Sequence, residues 1–393
     1  MLGKSGLIFL SFVIILNSLM VPALAISDHE TAGISLGAFL FYPELTFQET
    51  YTDNVFLMET DEIEDYLSYI NVGSDVSMNL GRHLLHGGYL ASIRRANTEE
   101  VMDKTHQYAN LGLFFKLKSG VNLQVTDDFA DDSVDPWFVG DKRDDYRTNL
   151  AGAMVDYTMK NAYRIKFGYS NQVKRFYGEA SETDNFTRSI IPAGFYYKVG
   201  SNSWLLGEYS LKLTDQELDF KDNNLHLALA GWEFEVTDKI TATFKTGFIS
   251  IDYDQGDSFG TAPGFIILKY QPFSYSLLTL DFSRTIIETT IAEENAINGN
   301  FYTSTQAKLS LRHQFSMKTA AKISAFAAMD RFPVIENFDK REDDSYGFGG
   351  TLEYMLREYF LIELNYQYKA NDSNYDIDDF IDNSVFIKTG FRF

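Results

Sequence analysis

Ser384-Val385-Phe386-Ile387-Lys388-Thr389-Gly390-Phe391-Arg392-Phe393 closes the chain, and its two-residue period decides the class of fold. Val385, Ile387, Phe391 and Phe393 fall on one side with Thr389 between them, while Ser384, Lys388, Gly390 and Arg392 fall on the other. One face suits lipid and the other water. A strand of about ten residues with an outward apolar row spans an outer membrane, and an aromatic last residue sits at the membrane interface. The rest of the chain is then expected to be strands that close against this one.

Composition agrees. The 393 residues are 45% hydrophobic and 15% aromatic, with 24 Tyr, 33 Phe and no Cys. Without cysteine there is neither a disulfide framework nor a thiolate metal site. A formal charge of -21 sets the protein apart from nucleic-acid binders, whose partner needs a basic surface.

Residues 1–25 read as a signal peptide: Lys4 is the positive start, Leu7 to Leu16 the apolar run, and Ala23-Leu24-Ala25 the small-x-small cleavage site. No later stretch is long and uncharged enough for a membrane helix. An exported chain this apolar is either soluble or a closed barrel, the sheet that leaves no backbone group unpaired in lipid.

Residues 26–39 form a short periplasmic lead-in, and 40–393 a single transmembrane barrel. Alternating segments are joined in turn by tight links and by longer acidic ones, the asymmetry of periplasmic turns and extracellular loops. The tight links are Gly81-Arg82, Ser119-Gly120, Lys160-Asn161, Gly200-Ser201-Asn202, Asp238-Lys239, Gln271-Pro272, Met317-Lys318 and Arg357-Glu358. They predict an all-β, antiparallel barrel of about eighteen strands, with sixteen as the alternative, near 40–52, 66–79, 83–96, 106–118, 121–130, 146–159, 162–176, 185–199, 203–215, 223–237, 240–253, 260–270, 274–288, 302–316, 320–332, 345–356, 359–369 and 382–393. An even count returns the C-terminus to the periplasmic side. The long links carry acid clusters: Asp53 to Asp65, Asp127 to Asp135, Asp339 to Asp344, and Asp372 to Asp379. None has the spacing of a calcium loop, so they read as solvated tips; shared divalent cations would let them meet lipopolysaccharide phosphates.

Strand alternation assigns the lumen side. Basic residues there are Arg94, Lys116, Arg164, Lys166, Lys174, Lys212, Lys245, Lys308, Arg312, Lys322, Lys388 and Arg392; the acids are Glu44, Asp75, Glu208, Glu353 and Glu363. Rings of Arg and Lys in a low-dielectric wall select anions, although polar residues in any barrel also serve solvation and cross-strand pairing. Catalysis has little support. The six His stand in no hydrolase or zinc-protease frame, and His83 and His86, three apart on a strand, point to opposite faces. No cofactor and no metal is expected.

Tyr42-Pro43-Glu44-Leu45-Thr46-Phe47, followed by Glu49-Thr50-Tyr51-Thr52-Asp53-Asn54-Val55-Phe56, resembles the opening of the putative β-barrel porin 2 family. Many members are encoded in exopolysaccharide loci of Gram-negative bacteria, so the resemblance implies an outer-membrane barrel that exports polysaccharide, and it transfers no catalytic residue. The expectation is a conduit for an acidic exopolysaccharide working with periplasmic export components; a general or solute-specific diffusion porin is the alternative, and the same barrel serves both. Outer-membrane lipid, lipopolysaccharide and, through the last strand, the barrel assembly machinery are the other expected partners.

Overall fold

A computed structural model describes residues 33–135, 144–178, 184–217, 222–254, 258–288, 301–333, 340–375 and 378–392. The expected signal peptide, the first part of the lead-in, Asp339, Asp376 and Phe393 lie outside them.

The described strands are β1 (Ile34–Leu36), β2 (Phe39–Thr52), β3 (Asp65–Leu80), β4 (His83–Ala96), β5 (Lys104–Lys116), β6 (Val121–Val134), β7 (Asp144–Met159), β8 (Tyr163–Phe176), β9 (Phe186–Lys198) and β10 (Ser203–Gln216). They continue with β11 (Asn223–Thr237), β12 (Ile240–Tyr253), β13 (Ser258–Thr261), β14 (Gly264–Phe273), β15 (Ser276–Glu288), β16 (Phe301–Ser316), β17 (Thr319–Arg331), β18 (Glu342–Arg357), β19 (Phe360–Ser373) and β20 (Phe380–Arg392). β1 is a short hairpin arm on β2, and β13 with β14 makes one interrupted strand beside β12, which leaves a closed barrel of eighteen antiparallel strands. Each strand pairs with its sequence neighbours. Closure comes from β2 against β20, from Glu44 opposite Arg392 to Thr52 opposite Ser384.

Exposure separates the two faces. On β8, Tyr163, Ile165, Phe167 and Tyr169 are exposed, and on β20 so are Val385, Ile387 and Phe391. A continuous apolar surface of this kind is stable only in lipid. Buried apolar residues do not form one core. Among the described residues they collect in small clusters at the loop end of the barrel, such as Phe56 with Leu67 and Met102, and Leu225 with Ile249, Ile251, Ile286 and Phe301. At the turn end the rings form an interfacial belt. Phe273 stacks on Tyr275 at 5.2 Å, Tyr275 meets His313 edge-on at 5.4 Å, and Ser276 Oγ lies 2.8 Å from His313 Nδ1.

Turn chemistry explains the tight links. Lys160 and Asn161 both take positive φ, 50° and 54°, the geometry of a two-residue turn whose twist matches its strands. Two turns lie elsewhere than expected. The one placed at Gln271-Pro272 falls on Ser274-Tyr275, because a register shift between Tyr270 and Phe273 absorbs Pro272 at a bulge, where its missing N–H does no harm. That at Arg357-Glu358 moves one residue on, with a similar shift between Met355 and Arg357.

The strand expected at 260–270 is broken at Ala262-Pro263, and the one expected at 121–130 runs on to Val134. Acids read as loop tips therefore stand in strands: Asp127, Asp128, Asp131 and Asp132 in β6, Glu342, Asp343 and Asp344 in β18, and Asp372 in β19. Partners across the ladder hold them. Asp131 accepts Arg147 Nε at 3.0 Å, Asp127 accepts Asn149 Nδ2 at 2.8 Å, and Asp132 accepts the Tyr108 hydroxyl at 2.9 Å. The stretch expected as solvated loop is sheet, paired strand to strand.

Candidate functional site: the inner face of the barrel

Register carries the alternation round the whole barrel. Arg94, Lys116, Arg164, Lys166, Lys174, Lys212, Lys245, Lys308, Arg312, Lys322, Lys388 and Arg392 take the parity opposite to exposed Tyr89, Leu111, Phe167, Leu213, Phe244, Leu309, Ile323 and Ile387 on the same strands. Glu44, Asp75, Glu208, Glu353 and Glu363 share that second face. It is the concave one. Lys245 on β12 reaches Glu208 on β10 at 2.8 Å, and Arg312 on β16 reaches Glu353 on β18 at 3.2 Å, each across an intervening strand. Strand axes two apart are separated by roughly 9–10 Å, so such side chains converge on the inside of the curve.

Many charges there are paired. Arg392 joins Glu44 at 2.7 Å across the closing seam, and Arg164 joins Asp156 at 2.5 Å. The Tyr196 hydroxyl donates to Glu208 at 2.5 Å, and Lys166 Nζ lies 5.1 Å from the centre of the same ring. Asp135 accepts both Arg94 at 2.7 Å and Lys104 at 3.0 Å. Burial opposes the Asp135 charge, yet these two cations hold its carboxyl below the usual range.

Lys116, Lys166, Lys174, Lys308, Lys322 and Lys388 carry no ion pair among the described residues. Lys174 instead sits over the Tyr146 ring at 3.8 Å and the Phe176 ring at 4.6 Å, a cation held by π faces, which attract it without cancelling its charge. Lys388 stands opposite Glu363, and Asp281 opposite Lys308.

The structure adds a pair that strand alternation does not reveal. Arg188 on β9 and Lys212 on β10 both close on Glu288 at the end of β15; the Arg188 Nη2 to Glu288 Oε2 distance is 2.5 Å. All three are buried, with exposures of 4%, 5% and 4%. Arg188 escapes notice because its row on β9, Phe186, Ile190, Pro192 and Tyr196, is as apolar as the opposite one, so the parity has no clear polar side. Glu288 escapes because strict alternation from Ser283 would turn it outward.

At the rim, Arg341 Nη2 holds Asp343 at 2.6 Å and Arg341 Nη1 holds Asp378 at 3.0 Å. One guanidinium thus serves two carboxylates. Burial, with help from Asp343 and Asp379 and against Arg341, pushes the Asp378 carboxyl up to about 7. A raised carboxyl pKa contributes stability that is complete below the unfolded value and is lost as pH rises through about 7. Melting in detergent is therefore expected to shift to lower temperature between pH 6 and 8, and Asp378→Asn is expected to flatten that dependence. Equal slopes for the two proteins contradict it. Among the described residues no group of three or more His, Asp or Glu is placed to hold a metal ion.

Comparison with known proteins bears on the whole arrangement. Residues 205–393 match the model of the family described as putative beta-barrel porin 2, the family that the first strand resembles. No curated protein sequence matches the chain. Solved structures match in fold. OccK2 (OpdF) of Pseudomonas aeruginosa in complex with glucuronate superposes with a TM-score of 0.50 at 10% identity, over 91% of this chain and 99% of that one. OpdK of P. aeruginosa with vanillate gives 0.50 at 10% identity over 90% and 99%. A BenF-like porin from Pseudomonas fluorescens Pf-5 gives 0.50 at 9% identity over 90% and 99%.

Proposed function

We propose, taking as premise a porin-like barrel of the outer membrane whose C-terminal half matches the putative beta-barrel porin 2 family, that this chain is a diffusion channel for small anionic solutes. The observation that carries this reading is the inner face, where lysines such as Lys166, Lys174, Lys322 and Lys388 have no ion pair among the described residues while the loop end is acidic. Fixed cations inside a low-dielectric wall draw anions inward, and the acid at the mouth is screened by salt over about 8–10 Å. Two of the similar barrels were crystallised with glucuronate and with vanillate, each a small carboxylate, and this favours the same solute class here.

The export of an acidic exopolysaccharide, expected from the resemblance, finds no support in the comparisons, and the solute porin fits better. The buried Arg188–Glu288–Lys212 contact also favours short solutes, since it carries side chains of β15 to β9 and β10. The polar face of the last strand, with Lys388 and Arg392, belongs to the proposed pore wall, and its apolar face is the proposed signal to the assembly machinery. Lipopolysaccharide bridged by divalent cations remains the proposed neighbour of the acidic loop ends.

Proteoliposome fluxes test the reading with glucuronate, glucose and glucosamine. The expected order is glucuronate, then glucose, then glucosamine. An order led by glucosamine overturns anion preference. A gene deletion that abolishes secreted polysaccharide while leaving solute uptake unchanged restores the export reading.

A further inference from the structure

β15 leaves the barrel wall near its end. It pairs with β14 only as far as Arg284 opposite Gly264, whereas β13 pairs with β12 alone among the described strands. Beyond Arg284 it keeps β16 as its partner, to Glu288 opposite Phe301. Pro263 at the break has no N–H to offer, and its carbonyl accepts Thr246 Oγ1 at 2.9 Å. The freed segment turns inward. Ile286, fully buried, packs on Leu225, Ile249 and Ile251, which lie on the concave face of β11 and β12. Glu288 then reaches Lys212 and Arg188, four and five strands from β15 in the order of the sheet. Along the wall that distance is roughly 20–25 Å, so the described end of β15 stands inside the curve of the wall.

We propose that Arg188 and Lys212 form an anion-binding eyelet for a solute carboxylate, and that Glu288 is the internal carboxylate that occupies it between passages. This rests on the anion-channel reading. The chemistry is matched. Arg188 is oriented by its Nε donating to Thr214 Oγ1 at 3.1 Å and by the Phe186 ring 4.5 Å from its Cζ, which leaves Nη2 to meet a carboxylate oxygen. Two cations face one carboxylate. Exchange replaces this carboxylate with another of the same chemistry, met by the same two cations. The hairpin does not depend on Glu288 for its position. Ile286 is held by the cluster above, and Ile287 packs with Tyr302 and Phe332. Glu288 can therefore release its cations without unmooring the strand.

Glu288→Gln separates the charge from the packing. Planar bilayers holding the purified channel, with glucuronate added in steps, report the concentration that half-blocks the chloride current. Removing the resident competitor is expected to lower that concentration by about tenfold, because the competent fraction of the eyelet rises. The triple variant R188Q/K212Q/E288Q removes all three charges together and is expected to lose glucuronate block. Mobility of unheated samples on gels verifies that each variant is a folded barrel. An unchanged half-blocking concentration in Glu288→Gln, or block retained in the triple variant, overturns the eyelet. If the wild type passes anions in preference and only the variants fail to differ, the eyelet alone falls; a wild type that passes neither glucuronate nor glucose removes the channel reading and the eyelet with it.

Discussion

Phe167→Arg is expected to destabilise the barrel by roughly 2–4 kcal/mol, while Lys166→Gln, one residue earlier, stays within about 1 kcal/mol of the parent. Phe167 is 57% exposed on the outer face of β8, between Ile165 and Tyr169 and four residues above Tyr163 at the turn end. At that height an outward guanidinium meets the middle of the hydrocarbon, where its desolvation is greatest. Lys166 points the other way, and its substitution removes only a cation over the Tyr196 ring. Equilibrium urea unfolding in lipid vesicles checks both. The reverse ranking contradicts the assignment of faces on which the inner wall depends.

Asn54→Ala is expected to lower the stability of the closing seam by about 3 kcal/mol, since each buried polar group left unpaired costs roughly 1–3 kcal/mol. Asn54 is fully buried. Its Nδ2 donates to the carbonyls of Met58 at 2.7 Å and Ile381 at 2.9 Å, and its Oδ1 accepts the Met58 amide at 2.9 Å. Neighbouring Asp53 accepts the Asn383 amide at 2.7 Å and its side-chain Nδ2 at 2.8 Å, and the Thr52 hydroxyl donates to Asp382 at 2.5 Å. Three consecutive residues thus fasten the first long strand to the last. The check is the temperature at which the folded band converts to the unfolded one on gels. No change in that temperature means the seam is held by the β2–β20 ladder alone.

The same residues show what a one-dimensional reading captures. Strand parity survives translation into structure wherever one face is lipid, because lipid disfavours polar groups and keeps exceptions such as Thr389 few: Phe360 to Lys369 and Ser384 to Arg392 alternate as the sheet does. Asp53 and Asn54 are residue types that favour turns; that they fasten the first long strand to the last cannot be seen from neighbours in sequence, since their partners lie about 330 residues away. Asp127 to Asp132 resemble loop because acid is depleted in strands, and only the register with Arg147 and Asn149 shows why they are tolerated. Arg188 and Glu288 were illegible for a different reason. Their contact depends on β15 leaving the wall, and alternation describes only strands that stay in it.

The most direct measurement for the central claim is the reversal potential of the purified wild-type channel in a planar bilayer under a KCl gradient. Lysines on the inner face that have no ion pair among the described residues predict a potential displaced toward the chloride equilibrium value, with the displacement reduced when Lys166 and Lys174 are both made Gln. A potential displaced toward the potassium value, or one indifferent to those two lysines, contradicts an anion path through this barrel.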